Sequence, residues 1–177
     1  MFVKVCGIKT FEQIDWAVTL GYDAIGVVLY PKSKRFVAEE KAEELARYAR
    51  QKIISVCVSI NFSDVANIYK HFDFVQVSEN IDAQNLIFST FEEPKFANYK
   101  YVMYDASHGT GKFTDFPHWL SNYREKLIIA GGLSSANVSE VIKNIKPFGV
   151  DVSSGVEDAP GVKNYKKMEE FINEVRR

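Results

Sequence analysis

Apolar residues along this chain follow two alternating spacings. Short β-branched runs recur as FVKVC (2–6), DAIGVVLY (23–30), IISVCVSI (53–60), DFVQV (73–77), YKYVMYD (99–105), KLIIAGG (126–132) and FGVDVSS (148–154). Their apolar residues cluster rather than alternate, as in strands buried on both faces of a parallel sheet. LIFSTF (86–91) is an eighth candidate, within a stretch (80–98) whose polar pieces are too short for good helices.

Helix-spaced segments separate the runs. Thr10 with Gln13 forms a capping box for a helix carrying Ile14, Ala17 and Val18, closed by Gly21. A second covers 38–51, with Ala42, Leu45, Ala46 and Ala49 on one face. Ser63 is placed to cap a third, with Val65, Ile68 and Phe72 inward. Ser135 precedes a fourth carrying Val138, Val141, Ile142 and Ile145, and the last, 163–176, aligns Tyr165, Met168, Ile172 and Val175. No linker or composition break interrupts the alternation, so residues 1–177 read as one α/β domain. Strand–helix alternation fits an eight-unit barrel or an open doubly wound sheet. Divided by eight, 177 residues leave about 22 per unit, short of the 200 or more usual for a (β/α)8 barrel. Periodicity alone leaves both architectures open.

Charge and composition narrow the function. Lys and Arg number 22 against 23 Asp and Glu, a balance that argues against a basic groove for nucleic acid. The longest apolar runs fall well short of the roughly 20 residues of a membrane span. The opening MFVKVCGIKT has neither the apolar segment nor the cleavage site of a signal peptide. Two cysteines, Cys6 and Cys57, make neither a disulfide framework nor a zinc pattern, and a reducing cytoplasm is the expected home.

Reactive residue types gather where strands end. Cys6-Gly7 closes the first run, Asp105 closes YVMYD, Gly131-Gly132 follows LIIA, and Ser153-Ser154-Gly155 follows GVDV. In both architectures the carboxyl ends of parallel strands line the active site. Each has an ordinary alternative. A lone strand cysteine is most often a small buried hydrophobe, and Cys57 is read that way. Asp105 is equally placed to be a general acid or a cap for the Ser107-His108-Gly109 loop. Most glycine pairs are plain turns, although backbone N–H groups and hydroxyls there can hold a phosphate. Arg35, in Pro31-Lys32-Ser33-Lys34-Arg35, offers a planar fork for a carboxylate, against the commoner solvated basic loop. Gly109-Thr110-Gly111-Lys112 lacks Walker spacing and reads as a flexible loop. His71, His108 and His118 show no metal-ligand spacing, so no metal is expected.

The chain resembles the phosphoribosylanthranilate isomerase family. The matching pieces are VKVCGIKT (3–10), DAIGVVLYPKSKRFV (23–37), FVQV (74–77), MYDASHGTGK (103–112), IIAGGLSSANV (128–138) and FGVDVSSGVEDAPGVKNYKKMEEFI (148–172). They stand in family order over almost the whole chain, and K-x-C-G-I and DVSSGVE-x-x-P-G are individually specific. The resemblance implies a (β/α)8 barrel and a cofactor-free Amadori rearrangement in tryptophan biosynthesis. It implies Cys6 as general base at the sugar C2′ and Asp105 as general acid at the ring oxygen. It places Arg35 on the anthranilate carboxylate, Gly131, Gly132, Ser153, Ser154 and Gly155 around the phosphate, and Gly7 and Gln76 at the substrate. The partner implied is a small phosphosugar, with neither nucleic acid nor membrane, and the enzyme a monomer or homodimer.

The chemistry of these groups sets two expectations. A thiol near pKa 8.5 needs a modest downward shift to serve as base at neutral pH. Asp105 needs an upward shift to stay a proton donor, which the end of an apolar strand suits. The chain also departs from the family pattern twice. Gln76-Val77 is followed by Ser78-Glu79 where the family commonly has His-Gly, and Gln76 to Asp105 is unusually short. Eight strands are therefore expected with a helix near strand five reduced or missing, a loop or short turn over 92–98, and the bared face covered by Phe91, Phe96 and Tyr99 or by a second subunit. The rival readings are another phosphosugar enzyme on the same barrel and a catalytically silent phosphate-ligand binder.

Overall fold

Eight parallel strands close on themselves in chain order in the computed structural model, which describes residues 1–105 and 116–177. They are β1 (Phe2–Cys6), β2 (Ala24–Val28), β3 (Ile54–Val58), β4 (Phe74–Val77), β5 (Leu86–Thr90), β6 (Tyr101–Asp105), β7 (Leu127–Ala130) and β8 (Gly149–Val152). β8 pairs back onto β1, with Lys4 opposite Asp151, so the barrel has no edge strand. The expected (β/α)8 barrel is the architecture observed, and the open sheet is excluded. Ser107, His108 and Gly109-Thr110-Gly111-Lys112 lie outside the described residues.

The helices form where the periodicity places them, with instructive exceptions. Thr10 Oγ1 accepts from the Gln13 backbone N–H, Gln13 Oε1 accepts from Lys9 N, and α1 (Phe11–Leu20) ends on left-handed Gly21. α2 (Glu39–Ala49) presents Ala42, Leu45, Ala46 and Ala49 to the core. The helix expected after Ser63 does not form; two three-residue 3-10 turns, Phe62–Asp64 and Tyr69–His71, replace it. Val65, Ile68 and Phe72 are buried as expected. β-branched Val65 and Ile68, with Asn61, Ser63, Asp64 and Asn67 competing for the backbone, favour such turns over an α-helix. α3 (Val138–Ile145) follows Ser135 as expected, with Asn137 in the cap position. α4 (Tyr165–Arg176) starts two residues later than expected, because Val162–Lys163 form a strand, β10, that pairs with β9 (Glu157–Ala159). Tyr165 is consequently exposed, its ring edge-on to Trp16.

The sector around β5 is bare, as its shortness predicts. No α-helix separates β4 from β5 or β5 from β6. Phe96 and Tyr99 pack on Phe88 to cover the sheet there, while Phe91 remains half exposed and only partly fulfils its expected covering role.

Two separate hydrophobic clusters follow from barrel geometry. Val3, Val5, Val27, Cys57, Val75 and Leu86 belong to the outer layer beneath the helices. Val28, Val56, Val58, Ile87, Met103 and Ile128 fill the interior. The N-terminal mouth is plugged by rings: Phe2, Tyr101 and Phe148 stack on one another, and Phe74 leans on Tyr101. Polar residues concentrate toward the opposite mouth. No helix among the described residues is long and apolar enough to cross a membrane.

Candidate active site

Strand alternation sends Cys6, at the end of β1, and Asp105, at the end of β6, to the carboxyl mouth. Both line one cavity of about 270 Å3, just below the usual range for ligand sites. Gln76, Arg35, Gly131, Gly132, Ser153 and Ser154 line the same cavity. Residues separated by up to 148 positions in the chain are thus gathered by the closing of the barrel. Gly7 and Gly155 adjoin the lining without forming it. A Cβ on Gly7 would fall 2.5 Å from Arg35 Cδ, so this glycine makes room for the arginine. Gly155 packs against the Leu133 carbonyl with no space for a side chain.

The turn after β7 is shaped by its glycines. Gly131 and Gly132 have φ of +91° and +67°, a conformation that any other residue adopts only under strain. Asn137 ties this turn down, accepting from Ser134 N at 2.9 Å and donating to Gly132 O at 2.9 Å. Ser153 donates its hydroxyl to the Cys6 carbonyl at 3.0 Å, which leaves the exposed Ser154 as the freer hydroxyl of the pair.

Arg35, on the lining, belongs to a charged cluster. Arg35 Nε and Nη2 grip Glu157, at 2.9 Å from Oε1 and 2.6 Å from Oε2. Glu157 also accepts from Lys163 Nζ at 2.7 Å, and Lys163 donates to the carbonyls of Cys6 and Ser153. Burial by itself would raise the Glu157 carboxyl, yet the hydrogen bonds from Arg35 and Lys163 hold it below the ordinary carboxylate value. Gln76 is over nine-tenths buried, and its Oε1 has no hydrogen-bond partner among the described residues. An unsatisfied buried acceptor in a cavity wall is suited to a donor on a ligand. Ser78 lines a different cleft, with Asn80 and Glu92.

The expected easy ionisation of Cys6 is not what the pocket provides. Burial pushes the thiol up, Lys4 and Lys163 pull it down, and the net direction is upward. The proton-free sulfur is scarcer in this pocket than in water, but each thiolate is a stronger base.

Lys4, Asp151, Glu157 and Lys163 are not among the residues the sequence singles out, although all four bear on the site. For Lys4 and Asp151 the sequence carries a signal, a polar residue within an apolar strand run, VKV and VDV, which is costly unless partnered; Glu157 and Lys163 carry none.

Known proteins match this arrangement over its whole length. The family model described as N-(5′-phosphoribosyl)anthranilate (PRA) isomerase matches residues 3–174. An N-(5′-phosphoribosyl)anthranilate isomerase from a Sulfurihydrogenibium species is 32% identical, over 99% of each chain. The crystal structure of phosphoribosyl anthranilate isomerase from Thermotoga maritima superposes with a TM-score of 0.79 at 28% identity, covering 99% of this chain and 98% of that one. A second isomerase structure, in complex with reduced 1-(o-carboxyphenylamino)-1-deoxyribulose 5-phosphate, gives 0.76 at 27% identity with the same coverage. Motif order, closed barrel and full-length similarity agree, and the chain belongs to the N-(5′-phosphoribosyl)anthranilate isomerase family.

Proposed function

We propose that Cys6 and Asp105 are the acid–base pair of the reaction that this chain catalyses as a phosphoribosylanthranilate isomerase. That reaction, a step of tryptophan biosynthesis, turns N-(5′-phosphoribosyl)anthranilate into 1-(2-carboxyphenylamino)-1-deoxyribulose 5-phosphate. Asp105 gives a proton to the ring oxygen as the bond from that oxygen to C1′ breaks. The anthranilate nitrogen supplies its lone pair, forming a protonated Schiff base at C1′. Cys6, as thiolate, then takes the proton from C2′, and that C–H electron pair becomes a C1′=C2′ double bond as the nitrogen recovers its pair. Protonation at C1′ and ketonisation at C2′ complete the isomer. Only protons and internal electron pairs move, so the chemistry calls for no redox cofactor.

The reading is supported above all by one observation: Cys6 and Asp105 line one cavity together with the glycine turn and Arg35. That combination of groups suits a ligand carrying both a phosphate and an aromatic carboxylate. In the assignment, Gly131, Gly132 and Ser154 hold the phosphate through N–H and O–H donors. Arg35 meets the anthranilate carboxylate while anchored on Glu157, and Gln76 Oε1 accepts from the substrate. The relative bound to a reduced product analogue carries this ligand class to the present chain. A cytoplasmic location accords with two buried, unpaired cysteines.

Freshly prepared substrate added to the purified protein tests the activity, because the aminosugar loses its fluorescence on rearrangement. Enzyme-dependent loss, with a product of unchanged mass, is expected. Binding of the product analogue without any turnover would replace the enzyme with a silent binder.

A further inference from the structure

Beneath the reactive sulfur lies a charge that the reaction as written does not use. Lys4 is 0% exposed, its ammonium inside the barrel and 2.9 Å from Asp151 Oδ1. A buried ammonium is costly even when paired, and apolar side chains fill the rest of this layer more cheaply. Lys4 and Cys6 are two residues apart on β1 and so share its inner face. Gly26 of β2 gives both of them room. A Cβ there would fall 2.8 Å from Cys6 Sγ and 3.1 Å from Lys4 Nζ. Ammonium and sulfur are therefore neighbours, within roughly 6 Å, the range over which opposite charges favour each other's ionised form.

We propose that Lys4 is a positioning residue for Cys6: its ammonium, held in place by Asp151, is the cation that favours the thiolate of the base. The proposal rests on the reading of Cys6 as base. The other charges around the sulfur are differently occupied. Arg35, from the loop after β2, is gripped by Glu157, and Lys163 of β10 is turned to Glu157 and to backbone carbonyls. Asp151 of β8 opposes the thiolate, and Asp105 of β6, on the same cavity, is the group assigned as proton donor. Lys4 is thus the cation placed under the sulfur from within the barrel. Titration directions agree: burial would lower Lys4, but Asp151 and Cys6 hold it above its ordinary value, so it stays charged. For Cys6, Lys4 is the chief influence opposing burial.

The two partners must then act on the sulfur in opposite directions, which a merely structural pair would not do. The measurement is the pH dependence of Cys6 alkylation by iodoacetamide in the folded protein, read by peptide mass spectrometry. Fully buried Cys57 serves as internal control. Lys4→Met is expected to move the Cys6 midpoint up by about one unit, making alkylation about tenfold slower at a fixed pH below it. The rising limb of kcat/KM should move the same way. Asp151→Asn, which keeps an acceptor for Lys4, is expected to move the midpoint down. An unmoved midpoint in folded Lys4→Met, or an unchanged or higher one in Asp151→Asn, would overturn the proposal. Should Lys4→Met fail to fold, as judged by circular dichroism, Asp151→Asn decides alone. Alkylation needs no turnover, so an active Cys6→Ala enzyme would sink the base assignment separately.

Discussion

Arg35 and Glu157 stand 122 residues apart in the chain yet form a two-point ion pair, with Arg35 Nη2 2.6 Å from Glu157 Oε2. The pair joins the loop after β2 to the ribbon after β8 across the cavity mouth. It fixes the plane of the guanidinium before any ligand arrives, which lowers the ordering cost of binding. Arg35→Met should raise KM by a factor equivalent to about 1.5–3 kcal/mol of lost charge-assisted contact. Arg35→Lys should restore only part, because an ammonium cannot reproduce the fork. Steady-state kinetics decide it: an unchanged KM and kcat in Arg35→Met would remove the arginine from the substrate.

The bare sector around β5 should be the first to open. Residues 91–98 have no regular structure, and those before β5 are held by side chains such as Asn85 on the Asp73 carbonyl and Asn98 on that of Ile81. A missing helix removes apolar burial but leaves the barrel ladder intact, so opening there is local. Native-state hydrogen exchange should show amides of 80–85 and 91–98 exchanging well before those of β7 and β8. Uniform protection across these segments would contradict the account.

Cys57 predicts how stability ends at high pH. It points into the outer core, and burial pushes its thiol up to about 12 from an ordinary 9.0. A folded-state value above the unfolded one gives stability that is complete below pH 9.0 and lost as pH climbs toward 12. Cys57→Val, close in volume, should melt within a few degrees of the parent near neutrality. Between about pH 8 and about pH 11 its Tm should fall less than the parent's. Parallel losses in the two proteins would show that Cys57 takes no part.

The upward push on Cys6 has a kinetic sign as well. The base form grows as the thiol loses its proton, so kcat/KM should rise from neutral pH toward 9.0 and beyond. A profile already flat at neutral pH would mean that the base titrates lower than burial allows, or that Cys6 is not the base.

Much of this was legible before any coordinates. Strand runs, the Thr10–Gln13 cap and the Gly21 stop are local signals, and local chemistry decides them. The missing helix was legible too, since a count of residues between Gln76 and Asp105 leaves no room for one. The segment after Ser63 misled because spacing reports which side chains face inward, not whether the backbone winds as α or 3-10; Val65, Ile68 and Phe72 are buried either way. Lys163 looked helical because the short β9–β10 ribbon depends on a pairing that no local pattern announces. The charged frame was hidden for a related reason. Lys4 and Asp151 become partners only when β8 closes on β1, and Glu157 meets Arg35 only across the finished mouth.

Turnover of Cys6→Ala and Asp105→Asn against the parent, in the fluorescence assay with freshly made substrate, bears most directly on the central claim. Each substitution should cost on the order of 10² to 10⁴ in kcat, the contribution of a general acid or base. Affinity for the reduced product analogue should change little in either, since neither side chain is assigned to binding. Near-parental turnover in either variant would contradict the claim that Cys6 and Asp105 carry the two proton transfers.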